Sequence, residues 1–111
     1  MKQAIFKLTQ AQGYFLEALD EVEDPELELS IVELGLVYDV RLEDKGGVQH
    51  AEVDMTLTSP GCPAAAEIMA AAHRAALNAV ESVHINLVWS PRWDPKVHAS
   101  EDARMDMGIW D

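Results

Sequence analysis

Cationic side chains, cysteines and long apolar runs are all scarce in this sequence of 111 residues. Lys and Arg number 8 against 20 Asp and Glu, a formal net charge of −12. A field of that sign repels a phosphate backbone and an anionic lipid surface, so neither nucleic acid nor a membrane is an expected partner. The acidity favours basic protein surfaces, but solubility alone accounts for it and it assigns no partner by itself. No apolar run approaches the ~20 residues that a membrane-spanning helix needs. The opening segment MKQAIFKLTQ has neither the apolar stretch nor the small-residue cleavage site of a secretory leader. The single cysteine, Cys62, has no partner for an intramolecular disulfide, and the expected setting is the reducing cytoplasm. Without a CxxC pair, a metal site built only from this chain's thiolates is excluded.

What is present suffices for one domain spanning residues 1–111, with a hydrophobic content of 49% to build its core. The first element is a helix over about Gln10 to Val22, capped by Thr9, with Phe15, Leu16, Leu19 and Val22 forming one apolar stripe. Asp24-Pro25 ends it, because proline disfavours helical geometry in the preceding residue. Ser30 to Leu34 reads as a capped helical turn stopped by Gly35. A strand follows over Leu36 to Leu42, alternation placing Leu36, Tyr38, Val40 and Leu42 on one face. Gly46-Gly47 marks a hairpin turn into a second strand, Val48 to Thr58, with Val53, Met55 and Leu57 opposite Glu52, Asp54, Thr56 and Thr58.

Ser59-Pro60-Gly61 breaks this strand. A helix over about Pro63 to Val80 presents the small stripe Ala65, Ile68, Ala72, Ala75, Ala76 and Ala79, which suits close packing on a sheet. A third strand runs from Val83 to Trp89. The loop SPRWDPK then leads to a short helix near Ser100 to Met107, ended by Gly108. The expected fold is a compact two-layer α/β (α+β) domain of order α-β-β-α-β-α around a three-stranded mixed sheet.

Chemistry concentrates in the segment from Asp54 to Pro63. Cys62 is expected at the N-cap of the second long helix, where free N–H groups and the helix dipole favour a thiolate. A thiolate ligates iron, accepts sulfur or attacks an electrophile. Thr56 and Thr58 lie on one side of the strand delivering it, their hydroxyls available to a sulfur, a sulfide or a bound anion. The structural alternative is an inert, buried cysteine beside two threonines that fill a polar strand face. Asp24, Glu26 and Asp39 form a second set, able to supply oxygen ligands or accept the thiol proton if the fold brings them together. Against that, Asp24 ends a helix and Glu26 caps the following turn.

The remaining polar and aromatic residues read as structural. His50, His73, His84 and His98 lack HxH or HxxxH spacing and are expected at the surface. Trp89, Trp93 and Trp110 are expected to be packing anchors, since too few cations surround them for a base-stacking platform. Met55, Met69, Met105 and Met107 are expected core filler. No phosphate-binding loop pattern is present.

The stretches ALDEVEDPELELSIVELGLVYDV, VDMTLTSPGCPAAAEIM, INLVWSPRWDP and SEDARMDMGI together resemble the SufT/PaaD-type iron–sulfur cluster assembly family, which includes the small domain of the eukaryotic cytosolic iron–sulfur targeting factors. The resemblance covers about Leu16 to Ile109. The first ten residues have no counterpart in it, and Glu33 stands where the family often has Asp. It implies a metal–sulfur cluster biosynthesis role, the installation of clusters in client proteins with scaffold and carrier proteins as partners. It carries the family's reactive thiol to Cys62, its acidic positions to Asp24, Glu26 and Asp39, and its strand threonines to Thr56 and Thr58. The PaaD branch, which serves a phenylacetyl-CoA oxygenase system, usually has extra cysteines in a C-terminal extension. This sequence reaches Asp111 without them, so the SufT-like branch fits better.

The implied cargo is an iron–sulfur cluster or iron, held transiently and shared. One thiolate supplies one of the four usual cluster ligands, so a second subunit, a partner or a small thiol must supply the rest. A symmetric homodimer pairing two copies of Cys62 is one solution. Two other readings stay open on the residues alone. One is a non-catalytic interaction module that recruits clients; the other is a cysteine-nucleophile enzyme, for which no histidine is evidently placed as base.

Overall fold

A computed structural model describes residues 9–59, 61 and 63–109. Helix α1 spans Gln10–Leu19 and opens with a reciprocal capping box: the Thr9 hydroxyl accepts from the Gln12 N–H, and the Gln12 side chain accepts from the Thr9 N–H. It ends three residues earlier than the apolar stripe suggests. Val22 is nonetheless buried, because it enters a tight hairpin of two-residue strands, β1 (Glu23–Asp24) and β2 (Leu29–Ser30), that pattern reading misses. Ser30 caps the next turn as expected, its hydroxyl accepting from the Val32 and Glu33 N–H groups. Gly35 (φ +78°) closes that turn, with the Leu36 N–H reaching back to the Ile31 carbonyl at 3.0 Å.

Strands β3 (Val37–Lys45) and β4 (Val48–Met55) pair antiparallel about Gly46-Gly47, both at positive φ as a two-residue hairpin turn requires. The register slips between Val37 and Asp39, so Tyr38 is the extra residue of a bulge. This corrects the expected alternation. Val37, opposite Met55, faces the core with Val40, whereas Tyr38 turns away to donate to the Pro91 carbonyl and stack on His98. β5 (Ser82–Leu87) pairs parallel to β4, giving sheet order β3-β4-β5. A parallel neighbour needs a crossover, which helix α2 (Ala65–Ala76) supplies. The mixed three-stranded sheet and the α/β class are therefore as expected.

α1 packs on β3 and on α2, and α2 packs on β5, so both long helices cover one face of the sheet. Between the layers lie Phe15, Leu19, Ile31, Leu34, Leu36, Met55 and Ile68, all essentially without solvent contact. Ala72 and Ala76 bring α2 close to the sheet, as the small-residue stripe predicts. The opposite face of the sheet is polar and open. There Arg41 bridges Asp39 and Asp54, Asn86 donates to Asp54 and Glu52, and Glu52 bonds His50, whose other ring nitrogen meets Ser82. His50 is thus buried rather than superficial.

Beyond β5 the chain folds back over the Ile31–Leu36 turn. The loop expected at SPRWDPK contains a short helix, α3 (Pro95–His98), capped by Asp94 with proline in its first turn. Helix α4 (Glu101–Asp106) is capped by Ser100. The Trp93 indole donates to the Leu34 carbonyl at 2.7 Å, and the Ser100 N–H donates to the Glu33 carbonyl at 2.8 Å. A methyl group on Gly35 would fall 2.0 Å from the His98 carbonyl oxygen, so this close approach requires glycine.

Candidate functional site

The site grows from the exit of β4. Regular pairing stops at Met55, earlier than the expected Thr58, but two backbone bonds hold the next residues. The Thr56 N–H donates to the Leu36 carbonyl and the Val88 N–H to the Met55 carbonyl, each at 2.8 Å. Thr56 and Leu57 are buried, Thr58 is half-buried and Ser59 is exposed, so the chain rises from core to surface within four residues. The Thr56 hydroxyl oxygen is fully enclosed and has no hydrogen-bond partner among the described residues.

Asp24 organises the β1–β2 hairpin. Its Oδ1 accepts from the N–H groups of Glu26 (2.8 Å) and Leu27 (3.2 Å), and its carbonyl accepts from Glu28, which takes a positive φ of 58°. Its Oδ2 is buried and, like the Thr56 hydroxyl, unpartnered among the described residues. A relay of backbone bonds joins the two regions: Ile31 N–H to Val22 carbonyl, Leu36 N–H to Ile31 carbonyl, Thr56 N–H to Leu36 carbonyl. A buried polar atom left unpaired costs about 1–3 kcal/mol. Among the described residues the two such side-chain atoms belong to Asp24 and Thr56, both singled out by sequence.

A cleft of about 270 Å³ opens at the end of this strand, lined by Leu57, Thr58, Ser59, Trp89, Arg92 and Trp93. Trp93 is fixed by its bond to Leu34, while Trp89 is 44% exposed and anchors little. Pattern reading took both tryptophans as packing residues and passed over Arg92. The available signal was an arginine set between two tryptophans in a chain so poor in cations.

Comparison with known proteins now bears on this arrangement. The family profile described as iron-sulfur cluster assembly protein matches residues 15–86, well over half of the sequence. The chain belongs to that family. It is 43% identical over 94 residues to the Fe-S protein maturation auxiliary factor YitW of Bacillus subtilis (strain 168), covering 83% of this chain and 88% of that protein. It is 41% identical over 90 residues to the Fe-S protein maturation auxiliary factor SufT of Staphylococcus aureus (strain USA300), covering 79% of this chain and 98% of that one. Among solved structures, a DUF59 domain from Bacillus anthracis superposes with a TM-score of 0.80 at 34% identity, covering 90% of this chain and 93% of that one.

The residues that the SufT-like resemblance marks do not all converge in this family member. Asp24 and Thr56 share the buried relay, and Thr58 lines the cleft. Glu26 is exposed at the hairpin tip and offers its N–H, not its carboxylate, to Asp24. The cap of the following turn is Ser30, not Glu26. Asp39 is on the open sheet face, where its Oδ2 accepts from Arg41 at 2.7 Å. Cys62 lies outside the described residues, as does Trp110. Helix α2 takes Ala64 as its N-cap, so Cys62 precedes the cap by two residues instead of occupying it. Among the described residues no group of three or more His, Cys, Asp or Glu side chains is arranged to hold a metal ion. No described helix is long and apolar enough to cross a membrane.

Proposed function

We propose that this protein helps install iron–sulfur clusters in client proteins, with Cys62 as the thiolate that touches the cluster or its sulfur during hand-over. The observation that carries this reading is the pair of orphaned buried atoms, Asp24 Oδ2 and Thr56 Oγ1. An unsatisfied buried group invites an explanation outside the resting fold, such as a bound species or a transient partner. Here the two atoms belong to the β1–β2 hairpin and to the residue that follows β4, and two residues separate Thr56 from the sequence Ser-Pro-Gly-Cys.

In this reading the cluster is cargo. Cys62 supplies one ligand, and scaffold, carrier or client thiolates supply the others during exchange. The Thr56 and Thr58 hydroxyls donate to sulfur and favour its anionic form. Asp24 takes up the thiol proton as the metal–sulfur bond forms, its Oδ1 already committed to two backbone N–H groups and its Oδ2 free for the task. Glu26, at the exposed tip of the hairpin, and Asp39, half-buried on the open sheet face, meet the partner's surface. The reducing cytoplasm is the compartment in which a lone reactive thiol persists.

The test is anaerobic transfer of a reconstituted cluster from a scaffold protein to an apo iron–sulfur enzyme, followed by recovered enzyme activity and by the cluster's visible absorbance. Adding the protein should accelerate transfer, and Cys62→Ala should abolish the acceleration. Acceleration by Cys62→Ala equal to that of the unsubstituted protein would remove the thiol from the mechanism.

A further inference from the structure

The cleft at the end of β4 differs in charge from the rest of the molecule. Asp and Glu outnumber Lys and Arg 20 to 8 in the chain, yet among the described residues no carboxylate lines it. The one charged residue in its described lining is Arg92, which makes no hydrogen bond or ion pair among the described residues. The hydroxyls of Thr58 and Ser59 likewise have no partner among them. Three residues with donor groups line one small opening, and none of those groups has a partner among the described residues. By contrast, Arg41 and Lys45 on the sheet are both paired with carboxylates.

The walls add a second requirement. Trp89 and Trp93 offer indole surface and Leu57 an apolar floor. Aromatic faces and edges attract polarisable sulfur as well as hydrocarbon. The volume lies just under the usual range for small-molecule pockets, which limits the occupant to something of amino-acid size. Position supplies a third constraint. Ser59 lies in the cleft and Cys62 follows three residues later, so their Cα atoms are at most about 11 Å apart.

We infer that the cleft binds a small thiol that carries a carboxylate, the acid seated on Arg92, Thr58 and Ser59 and the sulfur lying along the indoles. Resting on the cluster-transfer reading above, this gives the soluble thiol a place in the reaction. Its thiolate is a second ligand delivered near Cys62, so the cluster is held by two sulfurs while the remaining two ligands are exchanged between donor and client. Binding itself is non-covalent; on ligation the small thiol displaces one donor thiolate from iron and passes its proton to that departing sulfur.

The experiment uses metal-free, reduced protein carrying Trp110→Phe, so that fluorescence comes from the two cleft indoles. N-acetylcysteine should change the emission saturably. N-acetylcysteine amide, which lacks the acid, and N-acetylalanine, which lacks the sulfur, should each bind at least several-fold more weakly. Arg92→Gln should weaken N-acetylcysteine by about tenfold or more, the loss expected for a charge-assisted hydrogen bond. Arg92→Lys should recover part of that loss, with circular dichroism confirming that both variants fold. Because Cys62→Ser should leave binding intact, a mixed disulfide is distinguished from occupancy of the cleft. No saturable response, or an Arg92→Gln variant that titrates unchanged, overturns the site; equal binding of N-acetylalanine overturns its assignment to a thiol. The titration needs no metal, so its failure leaves the transfer assay standing, and the failure of that assay leaves the titration readable.

Discussion

Arg41 grips Asp54 with both terminal nitrogens, Nη1 to Oδ2 at 3.0 Å and Nη2 to Oδ1 at 3.1 Å, diagonally across the β3–β4 pair. The guanidinium holds the Asp54 carboxyl below the usual carboxylate range, and hydrogen bonds from His50 and then Asn86 do the same for Glu52. The open sheet face is therefore a connected strip of charge, running from Asp39 to Ser82 through side chains of all three strands.

That strip makes stability depend on acid in a defined direction. A carboxyl whose folded pKa lies below its unfolded value contributes stability that is complete above the unfolded value, near pH 4, and is lost as pH falls through the folded value. Arg41→Ala should cost about 0.5–1 kcal/mol at neutral pH, since the pair is largely solvent-accessible. Urea midpoints measured from about pH 7 down to pH 3 should show a constant gap between the two proteins at first. The gap should then close as Asp54 protonates. A gap that widens in acid would contradict this account.

Gly35→Ala should be far more damaging than its size suggests. The position has φ +78°, and the added carbon would meet the His98 carbonyl oxygen at 2.0 Å. Left-handed strain and the displaced α3 segment together should cost roughly 3 kcal/mol or more. Gly108→Ala is the matched control, with φ +80° but open space around the new methyl, and should cost about 1 kcal/mol. Equilibrium denaturation of the two variants separates the clash from the backbone strain.

The α2–sheet contact leads to a similar comparison. Ala72 is buried against the core, whereas Ala70, two residues away, is exposed. Ala72→Leu should destabilise by about 1–3 kcal/mol through overpacking, and Ala70→Leu should change the urea midpoint little.

Thr56→Val separates stability from function. The substitution keeps the shape and removes a buried hydroxyl that has no described partner, so stability should be unchanged or rise by up to about 1 kcal/mol. Cluster transfer should nevertheless slow, because the proposed function assigns that hydroxyl to the cargo. A variant that is more stable and transfers at the full rate would show Thr56 to be dispensable filling.

Much of the candidate site could be read along the chain. The Thr9, Ser30 and Ser100 caps and the Gly46-Gly47 turn are local signals that form as expected, and the apolar stripes of α1 and α2 form helices shorter than their spacing predicts. Asp24 and Thr56 stood out by residue type and by family resemblance. Their unpartnered oxygens, however, exist only because distant segments enclose them. The cleft was illegible for the same reason, since Leu57 to Ser59 and Trp89 to Trp93 are about thirty residues apart and meet through β-strand pairing.

The sequence by itself determined the types of the longer elements, the class of fold, the family and the single thiol, because propensity, capping and turn chemistry act over a few neighbouring residues. Tertiary structure alone decided the bulge that turns Tyr38 away from the core, the closure of the C-terminal segment over Gly35, and the pairing of Asp39 with Arg41 instead of the buried relay. Those outcomes depend on which surfaces meet once the strands are in register. No local rule contains that information.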